Sequence, residues 1–211
     1  MSKITAIRAG RRPGKRVNIF LNGKFAFGLE AELVVKEGLY VGQELSDSQI
    51  DTLAGSDHFE RCLNAANRYL SYRPRSESEL RERLYRRGFD GDNVEAVIAR
   101  LKERGLVDDI AFAQFWKENR EMFSPRSRWL TSLELRRKGV PAETIEQVVS
   151  SASDDDSAYR AALGKASRLS LSDYQSFRRK LDAYLQRSGL GYGVINRTVR
   201  RVWEELEGVA R

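Results

Sequence analysis

The 211-residue sequence predicts a mainly α-helical protein: an elongated, curved array of three tandem three-helix repeats, preceded by a small β-hairpin plus helix region at the N-terminus. Three observations predict it. The pattern Leu-x-Arg-x-Gly-apolar occurs at residues 84–89, 135–140 and 185–190, with its glycines 51 and 50 residues apart. A fixed period of this length marks stacked supersecondary units. After each glycine, apolar residues recur at helical spacing. Before residue 55, by contrast, short β-rich runs flank Asn22-Gly23, the dipeptide that best marks a type I′ hairpin.

Taken in chain order, the β-rich runs are 4–7, 17–21 and 24–29, the last two joined by Asn22-Gly23. Residues 30–37 read as a helix stopped at Gly38, and Ser46-Asp-Ser-Gln49 is a capping box for a short helix ending near Ala54. Each repeat then opens with a helix, expected over 60–72, 109–123 and 157–169. The middle helix follows Pro74-Arg75-Ser76 in the first repeat and Pro125-Arg126-Ser127 in the second, 51 residues later; the third repeat lacks the tripeptide. Ser76-Glu-Ser-Glu79 is a further capping box. Gly88, Gly139 and Gly189 are expected as structural caps at the middle helices' C-termini. The residue there enters the left-handed region, where a Cβ costs roughly 1 kcal/mol. The last helix of each repeat shows an apolar stripe: Val94, Val97, Ile98 and Leu101; Ile145, Val148 and Val149; Ile195, Val199, Val202 and Leu206. The expected divisions are 1–55, 56–107, 108–153 and 154–211. Nine packed helices about 9 Å apart would extend roughly 70–80 Å.

Composition narrows the function. Lys and Arg number 37 against 30 Asp and Glu, a net charge of +7 that suits a polyanionic partner. The longest uncharged stretch, 188–196, has nine residues, far short of the roughly 20 that cross a membrane. The first residues lack the apolar core of a signal peptide. A single cysteine forms no internal disulfide, which fits a reducing cytoplasm. His58 and Cys62 are the only residues of their kinds, four apart on one helical face, and no further His or Cys completes a zinc site of three or four ligands. They read as a His in a capping region and a buried Cys without a catalytic partner. The glycines of Gly10-Arg-Arg-Pro-Gly14 are separated by three residues where a phosphate loop has four, and Arg16 stands in place of its Ser/Thr. Gly189-Leu-Gly191-Tyr-Gly193 is too short for a dinucleotide fingerprint. Asp154-Asp155-Asp156 reads as the acidic opening of a helix. No metal, cofactor, membrane contact or enzymatic activity is expected, and the chain is expected to act as a monomer.

The basic residues are the candidate binding set. Residues 58–107 carry a net +3, 108–157 a net −3 and 158–211 a net +6. On the middle helices lie Arg81, Arg86 and Arg87, then Arg136, Arg137 and Lys138, then Arg178, Arg179 and Lys180; Arg197, Arg200 and Arg201 share one face of the last helix. Acidic residues are scarce near the arginines of the third unit, which favours a polyanion contact there, with Arg200–Glu204 and Arg201–Glu205 pairing as the competing account. A secondary basic loop holds Arg8, Arg11, Arg12, Lys15 and Arg16 around Pro13-Gly14, within a first 29 residues that contain seven cations and no acid.

Arg73-Pro74-Arg75-Ser76-Glu77-Ser-Glu79-Leu80, followed by Leu84-Tyr-Arg-Arg-Gly88-Phe89, resembles the first repeat of the RecX family of bacterial regulatory proteins. Leu101-Lys-Glu-Arg-Gly105-Leu106-Val-Asp108-Asp109 is similar to that family's link into its second repeat, and 125–140 looks like the second repeat itself. The resemblance spans about 58–206. In the third repeat only Leu185-x-Arg187-x-Gly189-Leu190 carries the signature, and 1–55 resembles an extension found in some members. The resemblance implies tandem three-helix units without catalytic residues. It also implies a protein that binds the RecA recombinase and its filament on single-stranded DNA, inhibits strand exchange, ATP hydrolysis and coprotease activity, and so modulates recombination and the SOS response. The alternatives are a DNA-binding protein, either non-sequence-specific or with helix-turn-helix-like units that recognise duplex, and a pure scaffold. No recognition-helix pattern is evident, so DNA contact is expected to be electrostatic and sequence-tolerant.

Overall fold

The computed structural model describes residues 1–10 and 16–210; Arg11, Arg12 and Lys15 of the basic loop lie outside them. The described chain forms two compact units, one of Met1–Tyr72 with Arg81–Glu103, the other of Arg73–Leu80 with Arg104–Arg211. It is mainly helical, with a small antiparallel sheet at the N-terminus.

In the first unit, strands β1 (Ser2–Ala9), β2 (Arg16–Leu21), β3 (Lys24–Glu30) and β4 (Glu44–Leu45) lie in the order β3-β2-β1-β4. Asn22 and Gly23 have φ of 50° and 82°, the pair of positive values that a type I′ turn requires. The sequence reading anticipated three of these strands. The fourth has only two residues, too few for an alternating pattern. Ile4, Ile19, Phe27, Leu29 and Leu45 form one face of the sheet's core, closed by Leu33 and Val34 of α1 (Ala31–Lys36) and by Ile50 and Leu53 of α2 (Asp47–Leu70). The expected stop near Ala54 is corrected: α2 runs unbroken from Asp47 to Leu70, so residue 55 lies within a helix. The Ser46 capping box does open it. Gly55 costs a helix interior only about 1 kcal/mol, and no proline intervenes. Thr52 and Ser56 donate their hydroxyls to the carbonyls of Ser48 and Thr52, so their side chains are absorbed by the helix itself. One continuous helix thus serves two cores, with Leu53 under the sheet and Cys62, Leu63 and Ala66 in the half that packs on α4 (Gly91–Glu103). His58 is exposed in the middle of α2, not in a capping region, while Cys62 is fully buried. Helix α3 (Glu77–Arg86) divides between the two units.

The second unit contains α5 (Asp109–Phe123), α6 (Arg128–Arg137), α7 (Ala142–Val149), α8 (Asp154–Ala166), α9 (Tyr174–Arg187) and α10 (Tyr192–Ala210). Phe112, Leu135, Ile145, Val148 and Val149 form one core; Phe177, Leu181, Leu185, Ile195, Val199 and Val202 form another with the alanines of α8. The apolar stripes are therefore core. Asp154 opens α8 behind the Ser153 cap, as the acidic run suggested.

The hexapeptide signature is one piece of backbone geometry. At Gly88 the glycine N–H bonds the carbonyl of Tyr85, and the Phe89 N–H bonds that of Leu84. The same two bonds recur at Gly139 and Gly189, and the three glycines have φ of 85°, 74° and 80°. This is the Schellman closure, in which a fully buried leucine three residues inside the helix meets the apolar residue beyond the glycine.

Candidate nucleic-acid interface

Within the second unit, each Pro-Arg-Ser tripeptide bonds the C-terminal end of the next middle helix. Ser76 is fully buried; its hydroxyl accepts the Glu79 N–H at 3.1 Å and donates to the Lys138 carbonyl, the open end of the next middle helix. Ser127 accepts the Leu130 N–H through its hydroxyl and donates its own N–H to the Ser188 carbonyl at 2.9 Å. Arg126 bonds the neighbouring Arg187 carbonyl. In return, Asp109 accepts the Glu77 N–H and Asp154 the Arg128 N–H, so the repeat that receives a cap supplies one. Beside Ser76, the Glu79 carboxylate meets Arg73, Arg75 and Lys138. Burial alone would raise its pKa, but the Arg73 hydrogen bond and the three cations outweigh that and hold it below the usual range. Lys138, a candidate contact, therefore belongs to this cluster and also lies over the Trp116 ring at 5.2 Å.

The structure sorts the remaining candidates by partner. Arg81 is bound to Glu95 at 2.7 and 2.9 Å, Arg86 to Glu82, and Arg178 to Asp182 and Asn196. Arg197, Arg200 and Arg201 are paired with Asp155, Glu204 and Glu205 at 2.8, 3.2 and 2.8 Å. The expectation that acids are scarce around this cluster is thereby corrected. The two i,i+4 pairs are those named as the competing account, and the packing of α8 on α10 brings Asp155 from 42 residues away. Arg201 also lies over the Tyr159 ring at 4.0 Å. The Tyr159 hydroxyl, then Arg201, hold the Glu205 carboxyl below its ordinary value.

Arg16 leaves the basic loop set as well. It pairs with the buried carboxylate of Asp57 and donates to the Gly28 carbonyl, so it holds the first unit together. Arg8 stays exposed, 4.9 Å above the Phe20 ring. Arg87, Arg136, Arg137, Arg179 and Lys180 are exposed, and no carboxylate among the described residues pairs with them. The reading of the sequence passed over Arg187, which sits where Arg86 and Arg137 sit in the other repeats and is exposed like them. The repeated Leu-x-Arg signature could have found it.

Among the described residues, no group of three His, Cys, Asp or Glu could hold a metal, and no helix is long and apolar enough to cross a membrane. Burial, and secondarily the Asp90 carboxylate, push the Cys62 thiol up to about 11, so it is a packing residue rather than a nucleophile.

Known proteins share this architecture. Residues 2–46 match the model of the regulatory protein RecX N-terminal domain, 62–101 that of the first RecX three-helix domain and 108–149 that of the second. Regulatory protein RecX of Clostridium perfringens (strain 13 / Type A) is 30% identical over 207 residues, covering 96% of this chain and 97% of its own length. That of Bacillus subtilis (strain 168) is 29% identical over 208 residues, covering 96% and 78%. A crystal structure of regulatory protein RecX matches 94% of the chain with a TM-score of 0.66 and 25% identity, over 98% of its own length. That of RecX from Lactobacillus salivarius matches 69% of the chain and 97% of its own, with a TM-score of 0.58 and 23% identity.

Proposed function

Because this chain belongs to the RecX family of regulatory proteins, we propose that it binds the RecA recombinase and the RecA filament on single-stranded DNA. There it inhibits strand exchange, ATP hydrolysis and coprotease activity, and so modulates recombination and the SOS response. It works in the cytoplasm, as a monomer, without a cofactor. The observation that best supports this reading is the set of exposed guanidinium and ammonium groups on the middle helices of the second unit that no carboxylate among the described residues pairs with: Arg136, Arg137, Arg179, Lys180 and Arg187. Unpaired cations spaced along tandem helices suit a polyanionic lattice with a repeating backbone. They carry no base-reading pattern, which favours phosphate contact over recognition of one duplex sequence.

The test is a titration of the chain into RecA on single-stranded DNA while ATP hydrolysis is followed. Hydrolysis is expected to fall at or below one chain per RecA. Undiminished hydrolysis with filament binding confirmed would overturn the proposal. Binding measured at equal salt to bare single strand, bare duplex and coated single strand separates it from the helix-turn-helix-like alternative, which requires the duplex to win.

A further inference from the structure

We propose that the groove between α6 and α7 of the second unit is a docking site for an arginine side chain of a protein partner, a finer assignment that rests on the recombinase half of the reading above. The groove measures about 320 Å³. The first turn of α6 supplies Arg128 and Trp129, α7 supplies Glu146 and Val149, and Asp154 closes it from the start of α8. Val149 belongs to the core, so the floor is apolar. Trp129 stands on the wall 66% exposed, while the other two tryptophans, Trp116 and Trp203, are half-buried.

The same unit shows twice what such a ring takes as a partner. Arg120 lies 5.0 Å from the centre of the Trp116 ring, and one oxygen of Glu134 accepts from the indole at 2.9 Å and from Arg120 at 2.7 Å. Arg201 lies 4.0 Å from the centre of the Tyr159 ring, and Glu205 accepts from the phenol at 2.7 Å and from Arg201 at 2.8 Å. Ring, guanidinium and carboxylate form a closed set in each case. The face of the ring attracts the cation, and the carboxylate takes its N–H donors. At Trp129 the ring and the carboxylates stand together without the cation. Among the described residues, no Lys or Arg lies over Trp129 or pairs with the side chain of Glu146 or Asp154. Asp154 accepts the Arg128 backbone N–H through Oδ1, which leaves Oδ2 for a second donor. Arg128 does not complete the set, because consecutive residues of a helix face different ways.

Charge selects the source of the missing group. Two carboxylates line the groove against one cation, and residues 108–157 carry a net −3 in a chain of net +7. Such a groove repels a phosphate backbone and draws in a basic protein face. A guanidinium suits it better than an ammonium, since its flat fork stacks on an indole while donating to two carboxylates. Arg136 and Arg137 lie at the other end of the same helix, about 10 Å along its axis from Trp129. Helix α6 thus offers protein contact at its first turn and phosphate contact at its last.

The test uses the full chain and the peptide acetyl-Arg-Gly-Arg-amide, with its citrulline counterpart as a neutral control of the same shape. Tryptophan emission reads the site, because Trp116 and Trp203 are half-buried and already bonded to Glu134 and Glu207. The arginine peptide should change the emission saturably, the citrulline peptide should not, and Trp129→Leu should abolish the change. Binding to RecA without DNA is the second measurement. Trp129→Leu and Glu146→Lys should each weaken it about tenfold, with affinity for oligo-dT undiminished and thermal melts unchanged. The absence of an arginine-specific response at Trp129 would overturn the proposal. So would a response to oligo-dT in its place, which would make the ring a base-stacking surface. Undiminished RecA binding in both folded variants would overturn it too. If the wild type bound no RecA and the arginine peptide still registered at Trp129, the recombinase reading would fall and the docking site would stand.

Discussion

At the scale of single residues, three glycines share one conformation but not one environment. A Cβ built on Gly139 would stand 2.3 Å from the side chain of Ser78, and one on Gly189 would stand 2.6 Å from the Ser127 hydroxyl; on Gly88 it would meet nothing within 4 Å. Gly88→Ala is therefore expected to cost about 1 kcal/mol, the left-handed penalty alone. Gly139→Ala adds an overlap that the Ser78 Cβ cannot swing away from, for about 3 kcal/mol in all. Urea melts of the two variants check this, and equal losses would contradict it. The hexapeptides share their Leu, Arg and Gly and an apolar last residue, so the sequence shows the shared closure of the three helices. What separates the glycines is a neighbour some 60 residues away in the chain, and no local pattern encodes it.

At the scale of elements, helix ends were legible and helix continuity was not. Ends are written in local chemistry: the Ser46 box, the Ser127 and Asp108 caps and the glycine closures each complete their hydrogen bonds within a few residues. Whether α2 stops at Ala54 depends on whether both flanks find a core, and that is settled by distant packing. The tripeptides show the same split. The sequence displays Pro-Arg-Ser twice but not its role as a clasp, because Ser76 reaches a carbonyl 62 residues further on. The two serines should differ in consequence. Ser76→Ala removes a helix cap and also leaves the half-buried Lys138 carbonyl without its Ser76 partner, for about 2–3 kcal/mol. Ser127→Ala removes only the side-chain cap, about 1 kcal/mol, since its cross-repeat bond is made by the backbone N–H. Thermal and urea unfolding of both variants would show the order, and a reversed order would refute the clasp.

At the scale of the whole molecule, a net charge of +7 suits a polyanionic partner but does not say which cations would be free to face one, because the pairing of Arg197 with Asp155 follows from tertiary packing. Two charge-reversal variants separate the groups. Changing Arg136, Arg137, Arg179 and Lys180 to Glu should lower the slope of log affinity against log salt for single strands by about 0.7 per lost contact. Changing Arg197, Arg200 and Arg201 to Glu should leave that slope near wild type, since these arginines already have carboxylates beside them. A larger fall in the second variant, with both folded by thermal melt, would return the contact surface to α10. The direction of the clasps has a further consequence for how such a chain can lengthen. Each tripeptide grips the repeat that follows it, and in the third repeat an earlier helix start at Tyr174 replaces the tripeptide. The series behaves like a head-to-tail polymer whose last monomer carries a blocked end. A unit duplicated before residue 154 would bring its own tripeptide and grip the repeat after it, whereas the third repeat, without the tripeptide, would offer no such grip to a unit placed beyond α10.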